Sequence, residues 1–157
     1  MAKGSDHLQE YIGDIRRQLA TGVAAEHAYR PAMKRLLEAH RTRIVAVNDP
    51  RREKCGAPDF IVQKDKVPLG YLECKDIGAD LPKVLKTDQL KRYLESLGNL
   101  ILTDYLEFRW FVHGAEGARD FQKSLDKCIP VTTIAAILGV RAAWHRNRKR
   151  QARGVSG

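Results

Sequence analysis

The sequence predicts a mixed α/β domain, and three observations predict it. Two stretches near the N-terminus space their apolar residues at helical intervals. Two strand-like runs, residues 58–63 and 67–77, are separated only by the polar turn 64–66. A second strand pair, 99–103 and 107–112, follows a helix-like segment, so the helices are not confined to one end of the chain.

The elements follow in order. Ser5-Asp6 caps a helix over residues 7–20, where Leu8, Tyr11, Ile12, Ile15 and Leu19 share one face, and Thr21-Gly22 ends it. A second helix over 24–39 aligns Tyr29, Met33, Leu36 and Leu37. Pro31 fits there only in the first turn or at a kink. RIVAVND (43–49) reads as a strand and PRREKCGA as a polar connection. PDFIVQ (58–63) and VPLGYLECKDI (67–77) form a hairpin. From Leu72 onward, Leu72, Cys74 and Asp76 face one way and Glu73, Lys75 and Ile77 the other. GADLPK is a loop, residues 87–97 a helix stopped by Gly98, and NLILT and EFRWFV two more strands. HGAEGARD is a loop, with helical stretches expected at 121–127 and 131–138.

The 157 residues suit one domain, expected over 1–140, with a basic helix or tail at 141–157. The segment from Arg141 onward holds six of the 28 basic residues (Arg141, Arg146, Arg148, Lys149, Arg150 and Arg153) and none of the 19 acidic ones. The net charge of +9 would be +3 without it. Such a segment favours polyanions through phosphate contacts and counterion release, which makes DNA the expected partner; a solubilising tail is the bland alternative. No apolar run approaches the ~20 residues that span a bilayer, and MAKGSDHLQEY lacks a signal's apolar core. A cytoplasmic protein is the expectation. Cys55, Cys74 and Cys128 are odd in number and form no C-x-x-C pair, which speaks against a zinc site or disulfide framework.

The chemistry centres on Asp59, Glu73 and Lys75. Glu73 and Lys75 are two apart on a strand, so their side chains share a face. Asp59 opens the neighbouring antiparallel strand. Two carboxylates in one corner repel each other and favour a hard cation with oxygen ligands. The carbonyl of Cys74 is a candidate third ligand. A lysine beside them can orient a water or stabilise phosphoryl charge. The surrounding GAPDFIV and LGYLECKD runs are apolar, so these charges interrupt core-like strands.

With Glu26 in the upstream helix, Pro58-Asp59, Glu73-Cys74-Lys75, Gln89-x-x-x-Tyr93 and the run ILTDYLEFRWF, the chain resembles the PD-(D/E)XK nuclease superfamily. More narrowly, it resembles the N-terminal nuclease domain of restriction enzymes fused to an adenine-specific DNA methyltransferase. The resemblance covers residues 26–111. It implies a restriction-endonuclease-like core, a central mixed sheet of about five strands flanked by helices. It implies Asp59 and Glu73 as ligands of Mg²⁺, with Mn²⁺ as a substitute, and Lys75 as the residue that positions water. Glu26 would support the metal site, while Gln89 and Tyr93 would line it or touch the DNA backbone. The implied activity is metal-dependent DNA endonuclease cleavage within a restriction-modification system. The alternatives are a non-cleaving nucleic-acid-binding or assembly module on the same fold, and an RNA-processing nuclease. No glycine-rich cofactor loop or N-P-P-[YF] motif appears, so the methyltransferase and target-recognition regions of such enzymes are absent from this chain and become expected partners. One site per chain makes double-strand cutting the work of a homodimer or of two successive events.

Other residues take quieter readings. His27, His40, His113 and His145 are scattered without ligand spacing. Trp110 and Phe111 read as core, and Cys74 as a packed thiol facing away from Glu73 and Lys75. Trp144, amid basic residues, suits either base stacking or packing.

Overall fold

The computed structural model describes residues 3–39, 43–51 and 55–116. The helices expected at 121–127 and 131–138, the boundary at 140, the basic segment from Arg141 and Trp144 lie outside the described residues.

The amphipathic N-terminal stretch forms α1 (Lys3–Ala20), which buries Leu8, Tyr11, Ile12 and Ile15. The single helix expected at 24–39 is two pieces. A 3₁₀ turn, Glu26–Tyr29, leads into α2 (Arg30–Ala39), and Pro31 falls in the first turn of α2, where its missing N–H has no intrahelical acceptor to lose. The strands are β1 (Ile44–Asn48), β2 (Phe60–Lys64), β3 (Val67–Cys74), β4 (Asn99–Thr103), β5 (Phe108–Val112) and β6 (Ala115–Glu116). They form one six-stranded sheet in sequence order. All neighbours are antiparallel except β3 and β4, which run parallel through the crossover that holds α3 (Leu81–Val84) and α4 (Asp88–Ser96).

Three departures from the sequence reading have local causes. The sheet has six strands rather than about five, because a turn at His113-Gly114, both with positive φ, folds two residues back onto β5. Two residues are too few to show alternation. The GADLPK loop contains the one-turn α3, capped by Asp80, whose carboxylate accepts from the Lys83 N–H at 3.0 Å. Finally, β3 stops at Cys74 rather than residue 77. The Asp104 carboxylate takes the Gly78 N–H at 3.0 Å and turns the chain away.

Each face of the sheet has its own core. On one, α1 and α2 pack Ile15, Met33 and Leu36 against Phe60, Leu72 and Cys74. On the other, Leu81, Leu90 and Tyr93 from the crossover pack on Leu100, Leu102 and Phe111. The two sets alternate along β3, so Glu73 points to the crossover side while Cys74 is buried with the N-terminal helices. Among the described residues no helix is long and apolar enough to cross a membrane.

Candidate active site

The hairpin turn Asp65-Lys66 has positive φ at both positions, the geometry whose twist matches paired strands. It sets Lys64↔Val67, and a one-residue shift in register between Val62 and Gln63 then gives Phe60↔Leu72, one step from Asp59 and Glu73. The Cys74 N–H donates to Asp59 Oδ2 at 2.7 Å, which fixes that carboxylate at the end of β3. Just past the strand, the Lys75 N–H donates to the Thr103 carbonyl at 2.8 Å and extends the parallel pairing by one residue. The Lys75 ammonium donates to Glu73 Oε1 at 2.6 Å. Asp59, Glu73 and Lys75 therefore meet where the parallel strands β3 and β4 end.

Glu73 is 2% exposed, and its second oxygen, Oε2, is buried without a hydrogen-bond partner. Burial, reinforced by the charge of Asp59, lifts its carboxyl to about 7 against the pull of Lys75. Burial also raises Asp59 above the usual aspartate value, although the Cys74 N–H and Arg30 both favour its ionised form. Desolvation works against the Lys75 charge. The hydrogen bond and charge of Glu73 outweigh it and hold the ammonium above the ordinary lysine value.

Sequence reasoning missed Arg30. Its side chain is 6% exposed and reaches three carboxylates. Nη2 donates to Glu26 Oε1 at 3.0 Å and to Asp59 Oδ1, and Nη1 donates to Asp49 Oδ1 at 2.7 Å. Burial opposes its charge, but Asp59, Glu26 and Asp49 outweigh that and raise its pKa further. Glu26 thus joins the site through Arg30. The one available signal was the i,i+4 spacing of Glu26 and Arg30 in a helical segment. The Asp49 and Asp59 contacts span 19 and 29 residues and leave no local trace.

Tyr105 supports this side of the site. It adopts positive φ, and its hydroxyl donates to the Glu26 carbonyl at 2.9 Å. Its own carbonyl accepts from the Tyr11 hydroxyl at 2.6 Å. The chain around it is pinned by buried Asp104, which accepts from the N–H groups of Gly78, Leu106 and Glu107. On the crossover side, the Gln89 amide donates to the Tyr93 hydroxyl at 3.2 Å. Burial raises Tyr93, and the charges of Glu73 and Asp59 add to the rise. Gly56 has φ +130, and a Cβ there would lie 2.9 Å from Tyr93 Cε1, so this glycine lets the ring approach the loop backbone closely. Cys74 Sγ lies in the opposite core, as alternation predicts, and burial pushes its thiol well above the usual value.

Among the described residues, no three His, Cys, Asp or Glu side chains converge as a metal cage. The oxygen donors at hand are the Asp59 and Glu73 carboxylates and the Cys74 carbonyl. That set suits Mg²⁺, which keeps several waters and takes one or two carboxylates from protein. The buried, unpartnered Glu73 Oε2 is an acceptor a hard cation would satisfy. The donor chemistry fits the group that the sequence implies.

No family model matches the chain, and no curated protein matches it. Among solved structures, a chain of the cryo-EM structure of a DrdV–DNA complex matches with a TM-score of 0.59 and 18% identity. The match covers 71% of this chain and 12% of that chain. Likeness at this identity carries the fold alone: a mixed α/β domain with a six-stranded central sheet flanked by helices, consistent with the restriction-endonuclease-like core expected above.

Proposed function

We propose that this domain is a metal-dependent DNA endonuclease, with Asp59, Glu73 and the Cys74 carbonyl holding Mg²⁺ and Lys75 serving the attacking water. The observation that carries the reading is the convergence of two desolvated carboxylates and one ammonium, with Glu73 Oε2 left unpartnered inside it. Buried charge of this kind is costly to fold and marks functional sites. Bound there, Mg²⁺ would polarise the scissile phosphate and acidify a water.

The chain's own residues do the rest. Asp59 is oriented by the Cys74 N–H and Arg30 before any substrate arrives. Lys75, held by Glu73 and partly exposed, presents its remaining N–H donors to a water or to phosphoryl oxygens that gain charge. Tyr93 and Gln89 would line the crossover side. DNA as substrate is supported by the fold shared with a chain of a DNA complex and by the basic segment from Arg141, whose side chains would contact phosphates. The restriction-modification setting, and a methyltransferase or target-recognition partner, belong to the same proposal.

Supercoiled plasmid tests it directly. With Mg²⁺ or Mn²⁺ the wild-type protein nicks the plasmid. Asp59→Ala and Lys75→Ala each lower the rate at least about a hundredfold, the range expected when a charge-stabilising or acid–base group is removed. A wild type that binds DNA but nicks under neither metal points to a non-cleaving module. Cleavage of structured RNA alone points to RNA processing. Variants as active as the wild type sink the assignment.

A further inference from the structure

Orienting Asp59 does not by itself account for the charge and burial of Arg30. This arginine is too deeply buried to meet a phosphate, and its donors are directed at carboxylates. It also occupies the first residue of α2, where the helix dipole disfavours a positive charge. Its Nε is buried without a partner. A guanidinium kept there at those costs answers a local excess of negative charge. Four carboxylates (Glu26, Asp49, Asp59 and Glu73) share the cluster with two cations, Arg30 and Lys75. With all six ionised, the cluster carries a charge of −2, that of one divalent cation with its sign reversed.

We propose that Arg30 is the resident counter-ion of the site: it holds the acids together without a metal and weakens divalent-cation binding by its charge. The inference rests on the metal-site reading above. Arg30 is a positioning residue and touches no reacting atom. Its Nη2 bridges Glu26 Oε1 and Asp59 Oδ1, so it screens the repulsion among acids that the 3₁₀ turn and β2 bring together. A cation arriving at Asp59 and Glu73 meets the same carboxylate from another side and is repelled by the guanidinium. Removing one unit charge beside a divalent ion in a half-buried site changes affinity by about tenfold or more. A merely structural arginine predicts the reverse, because scattering the acids would weaken the site.

The test is Mn²⁺ binding to the metal-free full chain, read by electron paramagnetic resonance, with Mg²⁺-induced shifts in Tm alongside. Arg30→Met is expected to melt lower without metal, to bind Mn²⁺ about tenfold tighter, and to gain more Tm from Mg²⁺ than the wild type. Arg30→Lys keeps the charge and stays within about threefold of wild-type affinity. Should Arg30→Met fail to fold, Asp49→Asn decides. Its side chain is 70% exposed, and losing that acid should weaken Mn²⁺ binding about threefold. Arg30→Met binding no tighter than the wild type, or Asp49→Asn binding unchanged, overturns the proposal. A wild type that binds no Mn²⁺ overturns the metal-site reading with it, whereas a binding wild type with unresponsive variants overturns this inference alone.

Discussion

Glu73→Gln should make the metal-free protein more stable while abolishing its activity. Glu73 is 2% exposed, and its carboxyl is pushed up from 4.5 to about 7. That rise corresponds to about 3 kcal/mol that the ionised form costs the fold. Below pH 4.5 the group is protonated in both folded and unfolded chains and costs nothing. Between 4.5 and 7 the unfolded chain releases the proton and the folded chain keeps it, so stability falls as pH rises. Above 7 the full cost stands. Glutamine removes the charge, but it leaves Lys75 without its carboxylate and buries an amide N–H₂ beside the old Oε2 position. These losses return about 1–2 kcal/mol. The net gain at pH 8 is then about 1–2 kcal/mol, or about 2–8 °C in Tm for a chain of this length. Thermal melts in EDTA at pH 5 and pH 8 measure it, and the same variant should neither bind Mn²⁺ nor nick plasmid. At pH 5 the advantage should vanish or reverse. A variant no more stable than the wild type at pH 8, or a gap equal at both pH values, would refute the claim that Glu73 is a desolvated acid tolerated for function.

Three other outcomes are expected. Divalent-cation binding should release close to one proton per site below pH 7, because Glu73 must ionise to coordinate; calorimetry in buffers of different ionisation enthalpy measures it, and zero release would place the cation elsewhere. Asp104→Ala strands three backbone N–H groups, those of Gly78, Leu106 and Glu107, and should cost about 3 kcal/mol in urea unfolding. Gly56→Ala forces a Cβ into the Tyr93 ring at a backbone angle that alanine avoids; it should lower nicking several-fold by displacing Tyr93, with a loss of about 1–3 kcal/mol in stability, and an unaffected rate would remove Tyr93 from the site.

The hairpin was legible because its determinants are local. A two-residue turn between apolar runs allows few registers and brings Asp59 close to Glu73, although the shift between Val62 and Gln63 that puts them opposite one another left no sequence signal. Alternation also assigned the faces of Glu73 and Cys74 from residue types alone. Lys75 lies beside Glu73 for a reason other than the longer strand expected: β3 ends before it, and the Thr103 carbonyl and Glu73 hold it. Arg30, Asp49 and Tyr105 were illegible because their roles come from contacts across the fold. Tyr105 reaches the Glu26 carbonyl across 79 residues. The one-turn α3 and the two-residue β6 are too short for any periodicity to register.

The Asp65-Lys66 turn has a consequence for how the chain folds. A hairpin with a primed-type turn closes within microseconds, and the Asp59 contact to the Cys74 N–H spans only 15 residues. Arg30 reaches the same carboxylate only after α2 has docked from 29 residues away. A hairpin formed ahead of that docking would gather the two acids with Lys75 beside them but without Arg30. Refolding in chelator should accordingly be faster at a pH low enough to protonate the two acids than at pH 8.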